Sequence, residues 1–70
     1  MIKIGQIWRE VTPNRVATPL RRILNIRTKW PQGDGFVVAE VVESGHQRDF
    51  PPERFNGKVG GFELVEDVQP

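Results

Sequence analysis

Apolar and polar positions along this chain change over in short runs and never hold a 3.6-residue period across a window of helical length. Glycine or proline recurs at positions 5, 13, 19, 31, 33, 35, 45, 51, 52, 57, 60 and 61. The intervals left between them suit strands better than ordinary helices. Five strands follow: Ile4–Val11 (IGQIWREV), Leu20–Lys29 (LRRILNIRTK), Phe36–Val42 (FVVAEVV), His46–Phe50 and Phe62–Val65 (FELV). The segment PPERFN at 51–56 opens on prolines, which cannot donate to a ladder. It predicts one 3₁₀ turn, Pro52 to Phe55, closed by Asn56-Gly57. The chain is therefore expected to be all-β and almost free of α-helix.

Register follows from the same pattern. If WPQGDG at 30–35 is a hairpin loop, Ile26 faces Ala39, Leu24 faces Val41 and Thr28 faces Val37. That gathers Leu24, Ile26, Thr28, Val37, Ala39 and Val41 on a core face. Ile23, Asn25, Arg27, Val38 and Glu40 fall on the other. The next hairpin offers two choices. A three-residue turn at Glu43-Ser44-Gly45 sets Glu40 opposite Arg48 but turns Asp49 inward. An even-length loop turns Phe50 inward and sets Glu40 opposite Asp49. A cross-strand charge pair contributes up to ~1 kcal/mol, whereas burying Phe in place of Asp is worth ~2 kcal/mol or more. The even loop is expected.

Composition bounds what such a sheet can be. With 70 residues and 8.0 kDa the chain makes one domain, residues 1–70. A chain this short buries only roughly 60% of its unfolded surface, so a few kcal/mol hold it together. It has no cysteine and one histidine, which removes disulfides, thiolate zinc sites, thiol catalysis and multi-histidine metal sites. No apolar run approaches the ~20 residues that span a bilayer, and the first residues lack a signal-peptide core. A cytoplasmic protein without membrane contact, cofactor or small-molecule substrate is expected.

Net charge is +1, but it is unevenly spread. Residues 1–30 carry Lys3, Arg9, Arg15, Arg21, Arg22, Arg27 and Lys29 against the single acid Glu10. Residues 31–70 carry Arg48, Arg54 and Lys58 against eight acids. Such asymmetry marks either a basic face for nucleic acid or two halves whose charges pair across neighbouring strands.

The order is strand, long loop, strand, hairpin, strand, tight hairpin, strand, 3₁₀ turn, strand. In that order it resembles a five-stranded, partly open SH3-like barrel. The residues that carry the resemblance are GQIW at 5–8, FVVAEVVESG at 36–45, and PERF at 52–55 leading to GGFELV at 60–65. The opening MIKIGQIWRE is also similar to small proteins of phages and other mobile elements. The chain departs from signalling SH3 domains: it has no tyrosine and no Trp-Trp pair, so proline-peptide binding is not expected. The Val-Gln-Ile-Tyr signature of the plasmid-borne dihydrofolate reductase, which shares this barrel, is absent too.

Candidate chemistry sits on the first long hairpin. Arg21, Arg27 and Lys29 share one parity on the second strand, which would line them along one face at ~7 Å per step, a spacing suited to phosphates. The alternative is a solvated face neutralised by Glu40 and Asp49. Trp30, flanked by these cations, would stack on a base, anchor a protein partner, or fold back over Phe36 to cap the barrel. Trp8, Phe55 and Phe62 are expected in the core. Ser44-Gly45-His46 lacks an orienting acid and an oxyanion hole, and serine is a favoured turn residue. Gly57-Lys58-Val59-Gly60-Gly61 lacks the Gly-Lys-Ser/Thr order of a phosphate loop and is expected to be the turn into the last strand. The leading expectation is a non-catalytic binding module, a nucleic-acid-associated or regulatory adaptor for DNA or RNA using Arg21, Arg27, Lys29 and Trp30. The alternative is a module that binds a protein partner or itself through Ile23, Val38 and Phe36.

Overall fold

A computed structural model describes residues 2–14, 16–29 and 34–68. Trp30 and the rest of 30–33 lie outside the described residues, as do the side chains of Thr28, Lys29 and Asp34. The elements are β1 (Ile7–Glu10), β2 (Leu20–Lys29), β3 (Asp34–Val41), β4 (Gln47–Phe50), a 3₁₀ turn η1 (Pro52–Arg54) and β5 (Phe62–Glu66). No α-helix occurs among the described residues. The strands form one antiparallel sheet in the order β4-β3-β2-β1-β5. β4 and β5 are its two edges and do not pair, so hydrogen bonding does not close the sheet into a barrel.

β1 starts later than the apolar pattern implies. Gly5 takes φ 96°, a left-handed conformation that ends extended pairing, and the chain turns there. It stays tied to β2 because the Gly5 amide donates to the Ile23 carbonyl at 2.8 Å and the Ile23 amide donates to the Gln6 carbonyl at 2.9 Å. The turn between β3 and β4 has four residues, Val42 to Gly45, between the paired Val41 and His46. The Gly45 amide donates to Val41 at 2.7 Å, and Ser44 Oγ accepts from the His46 amide at 3.2 Å. The even parity is thus observed, with Phe50 inward and opposite Val37. The register differs by two residues from the expected one: Glu40 faces Gln47, and Asp49 faces Val38.

The largest departure lies in β2. Arg21, Arg22 and Ile23 pair with Val41, Glu40 and Ala39, and Asn25, Ile26 and Arg27 pair with Val38, Val37 and Phe36. Leu24 is left over, a bulge that flips the alternation. Ile23 therefore points inward and is 1% exposed, while Ile26, on the same face, is 36% exposed. Plain alternation would turn Ile23 outward, and the bulge is the reason it does not.

The core is Trp8, Ile23, Val37, Ala39, Phe50 and Phe62, with Ile2 and Phe55 packed against it. Phe50 of β4 and Phe62 of β5 come from opposite sheet edges, yet their rings meet at 4.8 Å. The sheet is thus strongly curved. Phe55, just after η1, fills the gap between its edges, 4.8 Å from Phe62 and 5.1 Å from Trp8. Each such aromatic contact adds about 1 kcal/mol beyond area burial. The buried Gln6 completes the base. Its Oε1 accepts from the Lys3 amide and Trp8 Nε1, and its Nε2 donates to Asp67 Oδ1 at 2.8 Å. That spends both ends of the amide, as a buried polar group requires.

Candidate nucleic-acid interface

β2 supplies the basic residues, and its bulge decides where they go. Arg21 lies opposite Trp8 and Val41, on the face that carries Ala39 and Val37. Arg27 lies opposite Phe36, on the other face. The expected strip of Arg21, Arg27 and Lys29 along one face is therefore split. The Lys29 backbone pairs with Asp34. The Lys29 side chain and Trp30 lie outside the described residues.

On the outer face, the charges of the first half of the chain meet those of the second. Arg9 Nε donates to Glu63 Oε2 at 2.7 Å, and Arg22 Nη1 to Glu40 Oε2 at 3.2 Å. Glu40 is thus taken by Arg22, not by Arg27, and does not face Asp49 as a carboxylate pair. Exposed pairs of this kind contribute about 0–1 kcal/mol but cancel the local field. Arg27 is the exception. It is exposed, has no carboxylate partner among the described residues, and its guanidinium carbon sits 5.9 Å from the centre of the Phe36 ring.

The inner face holds a second basic group where η1 meets β4. Arg21 of β2, Arg48 of β4 and Arg54 of η1 surround the Phe50 ring, with guanidinium carbons 5.1, 5.6 and 5.3 Å from its centre. Arg54 is held by two hydrogen bonds to the Gly60 carbonyl, at 3.2 and 3.0 Å, and also lies over Phe62. Its Nη2 is 3.9 Å from Glu10 Oε2. Arg21 Nη1 is buried with no hydrogen-bond acceptor. Burial, and then the neighbouring Arg48, push the Arg21 guanidinium below its ordinary value; Glu10 opposes this, and Arg54 adds to it. Arg48 and Arg54 are isolated bases in the sequence. Arg48 was nonetheless reachable: two residues from an inward Phe50 on a strand, it shares that residue's face.

Other chemistry is sparse. No group of three metal-ligating side chains occurs among the described residues. A cleft of about 260 Å³ lies beside the end of β1, with Thr12 and Val16 on one side and Arg9, Glu10 and Glu63 on its wall. Arg9 and Glu63 there are bound to each other. Residues 57–61 form turns into β5, closed by the Gly57 amide on Phe62 and the Gly61 amide on Lys58. No helix is long and apolar enough to cross a membrane among the described residues. In comparisons with known proteins, no family model, no curated sequence and no solved structure matches this chain.

Proposed function

We propose that this protein is a non-catalytic binding module of SH3-like architecture whose β2–β3 hairpin contacts the phosphate backbone of a nucleic acid. The strand order, the 3₁₀ turn before β5 and the side-chain contact between edge strands support the reading of a partly open SH3-like barrel. The observation that carries the functional reading is Arg27. Arg9 and Arg22, on the same outer face, are paired with carboxylates, whereas Arg27 is exposed, without a carboxylate among the described residues, and set over an aromatic ring. A guanidinium oriented on a ring keeps its donors free for phosphate oxygens. Lys29 and Trp30 follow it in the chain and complete the proposed contact set; Arg21 faces the other way. Phosphate contacts give affinity that falls with salt and little sequence preference. A stacked Trp30 adds ~1–3 kcal/mol.

The test is a titration with single- and double-stranded DNA and with RNA at low salt. Arg27→Glu combined with Lys29→Glu is expected to abolish binding and leave the fold intact. Trp30→Ala is expected to weaken binding at every salt concentration. No detectable binding by the wild type, with tryptophan fluorescence unmoved, refutes the reading. A protein-binding or self-associating module is the second reading. Ile23 is buried and drops out of its proposed surface, but β5 is a free edge with Leu64 and Val65 43% and 45% exposed. Association that is insensitive to salt would favour it.

A further inference from the structure

We propose that Arg21, Arg48 and Arg54, gathered on the Phe50 ring, form a binding site for a phosphate group. The site needs none of Arg27, Lys29 and Trp30. Three features of the molecule coincide there. First, the three guanidinium carbons all lie within 5.6 Å of one ring centre, although they come from β2, β4 and η1. Three like charges this close repel one another, and an anion between them would relieve that. Among the described residues, the only carboxylate within ion-pair reach of any of the three is Glu10, at 3.9 Å from Arg54. Second, the Arg21 Nη1 has no acceptor, an uncommon state for a buried donor, and a small turn of the half-buried side chain is what would bring it to a phosphate oxygen. Third, the site is built: Arg54 is fixed by its two bonds to Gly60, and the Phe50 ring, 5% exposed, is the floor on which all three rest. Arg48 is exposed, and Arg21 and Arg54 are half-buried, so the site is open to solvent. A phosphate supplies several acceptor oxygens in the geometry that guanidinium forks accept, and it supplies the missing charge.

The phosphate group has two sources, a free phosphomonoester or a phosphodiester of a nucleic acid. The experiment follows the arginine Nε–Hε NMR signals during titration with inorganic phosphate, with sodium chloride at equal ionic strength as the control. The expected result is a saturable shift of Arg21, Arg48 and Arg54 together, with a separate and weaker response of Arg27. Arg48→Gln, chosen because the Arg48 side chain makes no hydrogen bond among the described residues, is expected to lower the apparent affinity about tenfold while amide dispersion stays native. Parallel titrations with a nucleoside monophosphate and with an oligonucleotide lacking terminal phosphates assign the source. Saturation by the first alone identifies a phosphomonoester, and saturation by both admits a phosphodiester. Arg27→Glu with Lys29→Glu is expected to leave the phosphate response intact, which separates this site from the hairpin. Equal shifts with chloride, an unaltered affinity in Arg48→Gln, or loss of the response in the hairpin variant would each overturn the assignment.

Discussion

Ile23→Val and Ile26→Val should differ in cost, because the bulge at Leu24 puts Ile23 at the centre of the core and Ile26 at its margin. Ile23 is 1% exposed and lies opposite Ala39, which is fully buried. Removing one methyl group there leaves a void that the surrounding side chains fill only in part, at about 0.5–1.5 kcal/mol. Ile26 is 36% exposed, and the same change there costs a few tenths of a kcal/mol. A 70-residue domain has about 4–10 kcal/mol in total. Ile23→Ala, at about 2–5 kcal/mol, therefore risks unfolding it, and valine is the informative change. Urea unfolding followed by far-UV circular dichroism reads the difference. With a slope near 1 kcal/mol per molar urea, Ile23→Val should move the midpoint down by about 1 M and Ile26→Val by less than about 0.5 M. Equal shifts, or a larger one for Ile26, would mean that β2 runs without a bulge and pairs with β3 in a different register.

Ala39→Asp puts a carboxylate into a fully buried position and should abolish the cooperative unfolding transition, whereas Glu40→Ala loses only the half-exposed pair with Arg22 and should cost under about 1 kcal/mol; a reversed ranking in urea would refute the facing of β3. Gly61 is buried, and a Cβ there would collide with the Arg54 carbonyl and the Asn56 side chain, so Gly61→Ala should destabilise by about 1–3 kcal/mol, and a thermal midpoint equal to wild type would count against that packing. Asp67 is held below its ordinary value by the Gln6 amide and then by the Val68 amide. A carboxylate with a lowered folded-state value favours folding above its unfolded value, and that contribution fades as pH falls through the folded one. Asp67→Asn should therefore flatten the loss of stability below about pH 4, and an unchanged acid limb would exclude Asp67 as its source.

Much of this architecture was legible in the residues. Glycine and proline spacing marked the strands, the prolines at 51 and 52 marked η1, and the energetic preference for burying Phe50 over Asp49 fixed the parity of the β3–β4 turn. What alternation could not give was the bulge. Nothing local to Leu24 announces it, since no glycine or proline stands there. It comes from tertiary demand: Ile23 and Ile26, three apart, share a face only if one residue is skipped. The same skip split the expected basic strip, so Arg21 and Arg27 have opposite surroundings despite equal parity. Arg48 and Arg54 escaped a reading by charge runs because each is a single base among acids, and only the curvature that brings β4 and η1 together makes them neighbours of Arg21.

The strand order also has a temporal side. β2, β3 and β4 follow one another in both sequence and space, and the β3–β4 turn closes through four residues. β1 and β5 become neighbours only across most of the chain, as the Arg9–Glu63 contact, 54 residues apart, illustrates. Closing a loop of that length costs about 2 kcal/mol more chain entropy than closing a five-residue one. Folding should thus begin in the β2–β4 meander, with the β1–β5 seam zipping late. In kinetic terms, substitutions at Val37 or Ala39 should slow folding, and substitutions at Leu64 should mainly speed unfolding. Of the arginine trio, Arg21 and Arg48 belong to that meander, whereas Arg54, bonded to Gly60 and set over Phe62 of β5, would join them only as the seam closes.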